Sequence, residues 1–178
     1  MALALAAACA PSGPAGLRHL DAAGLARMRH DFNEAADRTR AIVLVSPTCH
    51  HCVLGVSALA RTLESGPTTR LAIYVIWEPI LPSDLGPPDS AAVARLTDPR
   101  ARHYWDPKRL VSAEVVRMWR ARNQPEGAPA DAKAWDRALV FPEGARWDDM
   151  LPSPVFDDGP IFPKTAALKR ALLGGPPD

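Results

Sequence analysis

Apolar positions along the chain alternate between helical and strand-like spacing, in an order that predicts an α/β domain. After Asp21, a residue type that caps helices, Leu25, Met28, Phe32 and Ala35 recur at spacings of 3, 4 and 3, one face of a helix. Ala41-Ile42-Val43-Leu44-Val45 is then apolar without a break, with charges before it and Ser46-Pro47 after it. A strand buried on both faces of a parallel sheet reads this way. Cys52, Val56, Leu59 and Leu63 follow at spacings of 4, 3 and 4, a second amphipathic helix stopped by Gly66-Pro67. Leu71 to Trp77 is another wholly apolar strand, so strand, helix and strand together form a βαβ unit.

The rest of the chain is more broken. Pro79, Pro82, Pro87 and Pro88 stiffen a connection that leads into a short helix over Ala91 to Leu96. Arg102-His103-Tyr104-Trp105 reads as a short strand, and Asp106-Pro107 as an N-cap with proline at the first helical position. The helix so opened carries Val111, Val115, Met118 and Arg122 along one stripe, with Val116 and Trp119 beside it. Asn123 to Asp131 is a loop. Ala138 to Phe141 and a stretch near Val155-Phe156 predict a terminal hairpin, which Pro142, Pro152 and Pro154 keep short. A last helix spans Ala166 to Leu173 and ends at Gly174-Gly175.

Composition narrows the function classes. Of 178 residues, 21 are Lys or Arg and 20 are Asp or Glu, so the strong basic field of a nucleic-acid binder is absent. No apolar run reaches the roughly 20 residues a membrane span needs. Three cysteines make no multi-disulfide scaffold, which leaves one pair with a role and one cysteine over. The odd one is Cys9. Leu5-Ala6-Ala7-Ala8-Cys9 resembles the end of a bacterial lipoprotein signal, with Ala6 where leucine is usual. The expected division is therefore a tail over 1–18, read either as a truncated lipoprotein signal and tether with Cys9 as the lipidated residue or as a plain N-terminal tail, and one domain over 19–175.

The sharp chemical signal is Cys49-His50-His51-Cys52 at the junction of a buried strand and a helix. A thiol at a helix N-terminus meets unpaired N–H groups and the positive dipole end, which favour the thiolate. Two intervening residues wound into a first turn bring the sulfurs within disulfide reach. His50 and His51, when protonated, add positive charge beside Cys49. Cys49 is expected to be the exposed attacking sulfur, and Cys52, on the apolar stripe, the buried resolving one.

In these features the chain resembles the thioredoxin superfamily: the strand over 41–45, Ser46-Pro47-Thr48-Cys49-His50-His51-Cys52, the helix behind it and the strand over 71–77. Trp77-Glu78-Pro79-Ile80-Leu81-Pro82 and Tyr104-Trp105-Asp106-Pro107 also look like a group of bacterial thioredoxin-like proteins. The resemblance implies a thioredoxin-like α/β fold, with a mixed central sheet flanked by helices and a proline-rich insertion after the strand over 71–77. It implies thiol–disulfide exchange with protein thiols, no bound organic cofactor, and a monomer. Three positions depart from the family pattern. Thr48 replaces the tryptophan before the first cysteine, and Val43 replaces a buried aspartate on the preceding strand. The cis-proline before the next-to-last strand has no counterpart: Asp136, after Ala134-Trp135, falls near its place, and Pro129 comes too early. Thr48, Trp135 and Asp136 are therefore the candidates for the substrate loop.

Two other readings stay open. Two thiolates with an imidazole suit copper(I) or a similar soft ion, with Cys49, Cys52 and His103 as the set. A module without activity, serving only for interaction, is the other. A zinc site is weaker, because no second cysteine pair supplies four ligands. Glu78, Asp84 and Asp106 read as loop carboxylates, the five tryptophans as core or rim, and no glycine-rich phosphate loop is present. If Cys9 is lipidated, the domain is expected outside the cytoplasmic membrane, where disulfides persist.

Overall fold

The computed structural model describes residues 16–64, 70–122 and 132–174. Cys9 with its tail, Gly66-Pro67, the 123–131 loop with Pro129, and Gly175 lie outside the described residues.

Among the described residues, eleven helices and strands follow one another: β1 (Leu17–His19), α1 (Ala22–Glu34), β2 (Thr39–Val45), α2 (His50–Glu64), β3 (Leu71–Trp77), α3 (Ser90–Val93), β4 (Ala101–Trp105), α4 (Leu110–Ala121), β5 (Arg137–Phe141), β6 (Phe156–Asp158) and α5 (Thr165–Leu172). A 3-10 turn, Phe162–Lys164, leads into α5. The strands form one mixed six-stranded sheet in the order β1-β4-β3-β2-β5-β6. β1, β4, β3 and β2 run parallel, whereas β5 and β6 form an antiparallel hairpin beside β2.

Side chains alternate across each strand, and both faces of this sheet are covered, which is why β2 and β3 are apolar at nearly every position. Ala41, Val43, Val45, Ile73, Val75 and Trp77 pack under α2 and α5. Ile42, Leu44, Tyr74 and Ile76 face the other way, onto Met28 and Phe32 of α1 and Val111, Val115 and Met118 of α4. The result is a three-layer α/β architecture, helices on both sides of a mixed sheet. Among the described residues, no helix is long and apolar enough to cross a membrane.

Several local expectations shift. β1 is three residues long, too short for a periodic signal, and is defined by parallel pairing of Leu17–His19 with His103–Trp105. β2 starts two residues earlier than its apolar run, because Arg40 is buried within it. The Arg40 guanidinium donates to the carbonyls of Ala145 and Pro142 and lies 4.7 Å over the Phe32 ring. α3 ends at Val93 rather than Leu96. α4 does not open at Pro107: residues 107–109 form a turn, and Arg109 before the helix takes the left-handed φ of 54°. Asp106 still caps, but one turn further on, accepting from the N–H of Val111 at 2.8 Å.

The irregular segment between β5 and β6 is tied to α1. Asn33 donates from its amide to the carbonyl of Trp147 (2.9 Å) and accepts from the N–H of Trp147 (2.8 Å). The fully buried Trp147 meets Phe32 edge to face.

On the opposite face, α2 approaches the turn before α5 so closely that only glycine fits at position 55. A Cβ there would stand 2.8 Å from Cβ of Ile161. Gly55→Ala is expected to lower stability by about 1–3 kcal/mol through overpacking, a loss read as a reduced urea midpoint.

Candidate functional site

The parallel strands end on one side of the sheet, and there the chain turns from β2 into α2 through Ser46-Pro47-Thr48-Cys49. Cys49 stands at the N-cap. Its carbonyl accepts the first intrahelical bond from Val53 (3.0 Å), and its sulfur accepts the N–H of Cys52 at 3.4 Å. A thiol sulfur thus occupies the place where a capping oxygen would serve. Both cysteines are free thiols. Cys49, expected to be the exposed sulfur, is itself buried, with 7% of its surface exposed where it lines a cleft, because it packs into the core at the start of α2; Cys52 has no exposed surface. Burial pushes the Cys52 thiol far above its ordinary range, and its hydrogen bond with Cys49 and the negative charge of Asp136 push the same way.

The turn carrying Cys49 is held by one carboxylate. Asp84, in the proline-rich connection after β3, accepts from the hydroxyl of Ser46 (2.8 Å) and from the N–H (3.0 Å) and hydroxyl (2.7 Å) of Thr48. It also accepts the N–H groups of Ile80 (2.8 Å) and Leu81 (2.7 Å). Burial alone would raise its pKa, but hydrogen bonds from Leu81, Thr48, Ser46 and Ile80 outweigh it and hold the carboxyl below its ordinary range. The sequence reading took Asp84 only as a loop carboxylate. Its spacing of four and three from Ile80 and Leu81 was the available hint, since aspartate commonly folds back onto nearby N–H groups.

The cleft in front of Cys49 has a volume of about 490 Å³, and His51, Trp119, Trp135 and Asp136 share its lining with Gly159 and Pro160. Asp136 precedes β5, takes a left-handed φ of 46°, and accepts the N–H of Ile161 at 3.2 Å. Gly159 lies against it so tightly that a Cβ would meet the Asp136 carbonyl at 2.2 Å. The Gly159–Pro160 bond is cis, and it follows the last strand rather than preceding the next-to-last one. Asp157 fixes the rim, accepting from the Trp119 indole at 2.6 Å and from Arg137 at 2.7 Å. Trp135 is 38% exposed at the lip.

The remaining sequence-derived candidates fall in three places. His50 and His51 are exposed on the first turn of α2, their rings 6.1 Å apart, and His51 borders the cleft. Thr48 is exposed beside them. His103 lies buried on β4. Its Nδ1 accepts from the Trp77 indole (3.1 Å), which leaves Nε2 to donate to the carbonyl of Leu96 (2.8 Å). Both ring nitrogens are therefore engaged, and burial lowers the pKa of the ring. The soft-metal set of Cys49, Cys52 and His103 is not assembled: among the described residues, no three His, Cys, Asp or Glu side chains gather as a metal site.

Two further carboxylates, Glu78 and Asp106, which the sequence reading took as loop carboxylates, are fully buried at the ends of β3 and β4. Comparison with protein-family models, curated proteins and solved structures gave no match to this chain.

Asp84→Ala leaves its donors without an acceptor, and is expected to cost about 1–3 kcal/mol at neutral pH by urea denaturation. The Asp84 carboxyl has a lowered pKa in the folded chain, so its contribution is complete above the ordinary carboxylate range and fades as pH falls through the folded value. The gap between variant and parent should narrow accordingly in acid.

Proposed function

We propose that the chain is a thioredoxin-like thiol–disulfide oxidoreductase that exchanges disulfides with protein thiols through Cys49 and Cys52. The observation that carries this reading is the asymmetry of the two sulfurs. Cys49 caps α2, accepts a backbone N–H, and opens onto a cleft; Cys52 is sealed one turn behind it. The β2–CHHC–α2–β3 order and the terminal β5–β6–α5 order support the thioredoxin-like assignment.

In the reducing direction, the Cys49 thiolate attacks one sulfur of a partner disulfide, and the other partner sulfur leaves as a thiolate. Cys52 then loses its thiol proton and attacks the Cys49 sulfur, releasing the second partner sulfur. Two electrons pass to the partner, and Cys49 and Cys52 are left joined. The reverse sequence oxidises a partner dithiol. Because burial keeps Cys52 protonated, resolution needs a base. We assign that role to Asp136, which shares the cleft lining with Cys49 and whose charge bears on Cys52. This base replaces the strand aspartate whose place is taken by Val43. An arriving peptide would rest on Trp135 and the Gly159–Pro160 edge.

Cys49→Ser should abolish reduction of a disulfide-linked peptide pair, and Cys52→Ser should accumulate a mixed disulfide at Cys49, detected by intact mass under non-reducing conditions. Normal turnover by both variants would remove the redox reading.

Asp136→Asn keeps a residue type that tolerates the left-handed backbone. It is expected to slow resolution of the mixed disulfide by ~10²-fold while leaving its formation unchanged, as stopped-flow single-turnover traces would show.

A further inference from the structure

Glu78 and Asp106 are the residues that follow the last positions of β3 and β4. Trp77 pairs with Trp105 in the parallel register, so the two carboxylates emerge from adjacent strand ends, and Asp106 N–H donates to the Trp77 carbonyl at 2.9 Å. Both side chains have no exposed surface. Each has one satisfied oxygen: Glu78 Oε1 accepts from the N–H of Ser112 (3.1 Å), and Asp106 Oδ2 from the N–H of Val111 (2.8 Å). The other oxygens, Glu78 Oε2 and Asp106 Oδ1, have no partner.

Burial raises the pKa of both carboxyls; backbone N–H groups of Lys108, Arg109, Leu110 and Val111 favour the charged form of Asp106 without outweighing it. β2 presents the carbonyl of Val45, which accepts from the Glu78 N–H at 2.9 Å, and α4 presents backbone N–H groups. The charged groups that face Glu78 are Asp106, which repels it, and Arg109. Arg109 lies in the turn before α4, and its guanidinium donates to the Pro79 carbonyl at 3.2 Å. Two ionised carboxylates here would leave two buried anionic oxygens without donors, an arrangement proteins avoid by neutralising one member. Glu78 and Asp106 bind the consecutive N–H groups of Ser112 and Val111, so the two carboxyls sit side by side, and a single proton on the pair removes one of the two charges.

We infer that Glu78 and Asp106 hold one proton between them, forming a latch that joins the ends of β3 and β4 to the start of α4 and is released by alkali. The latch extends to the cysteine cleft through Ser112. Its N–H is bound by Glu78, while its hydroxyl accepts the N–H of Ala134 at 2.8 Å, immediately before Trp135 and Asp136 on the lip. Loss of the shared proton sets two charges against each other at the root of α4 and loosens the anchor of that lip. The inference is independent of any redox activity.

The sign of the pH dependence follows from burial and Asp106 repulsion, which raise the Glu78 pKa in the folded chain. The folded state then keeps a proton that the unfolded chain has given up, so stability is greatest in mild acid and falls as pH rises toward the folded value. Glu78→Gln mimics the protonated member and supplies a permanent donor. It is expected to raise the Tm above the parent at neutral and alkaline pH, and to flatten the alkaline decline. In the parent, side-chain carboxyl ¹³C NMR should show one of the two resonances at the protonated position at neutral pH. The Ala134 amide should also exchange faster in the parent than in the variant at alkaline pH, relative to intrinsic rates. Two fully ionised carboxyls in the parent spectrum would overturn the proposal, and so would a Glu78→Gln variant less stable than the parent at alkaline pH. A Tm increase on adding calcium or magnesium that Glu78→Gln abolishes would also overturn it, placing a cation where the proton is assigned. If the variant does not fold, the parent carboxyl spectrum decides alone.

Discussion

The arrangement of the site depends on the carboxylate of Asp84. One oxygen pair collects donors from the turn that presents Cys49 and from the connection that leaves β3, two segments far apart in sequence. A loop that begins Ser46-Pro47-Thr48 has few backbone bonds of its own with which to hold a sulfur in place. Asp84 supplies them from outside, and its acceptor capacity matches the donors that the turn exposes. The cleft inherits its floor from this clamp, because Cys49 starts α2 directly after the clamped residues.

The two cysteines differ in what surrounds them rather than in their spacing. Cys49 meets one backbone N–H and the edge of the cleft, whereas Cys52 meets the apolar underside of α2 and a nearby negative charge. Four residues of sequence therefore yield two thiols of different character, which is what an ordered attack-and-resolve sequence requires. The far wall of the cleft comes from the β5–β6 hairpin, whose edges approach closely at Asp136 and Gly159.

Much of the scaffold was legible because burial on both faces writes itself as unbroken apolar runs: β3 is the run Leu71 to Trp77, end to end. α1 was equally plain, from Asp21 and a regular stripe. Legibility failed where polar groups are satisfied by distant partners. Arg40 reads as a strand boundary until carbonyls from residues 142 and 145 take up its guanidinium. Asp106 reads as a cap one turn early, since nothing local reports that residues 107–109 turn before the helix begins. Within the site, the cysteine pair and its histidines were visible as a motif. Glu78 and Asp106 were not, because their adjacency is a product of sheet register, and residues 28 apart in sequence carry no mark of it.

The reciprocal bonds between Asn33 and Trp147 have a mechanical meaning. One amide offers both a donor and an acceptor to a single residue's backbone, the same exchange two antiparallel neighbours make across a ladder. The excursion between β5 and β6 is thereby grafted to the helical layer on the far side from the cysteines. Any hinge-like displacement of the hairpin must leave that graft behind or carry the helix along, so the cleft wall nearest Cys49 is braced from a place no partner at the cleft would touch.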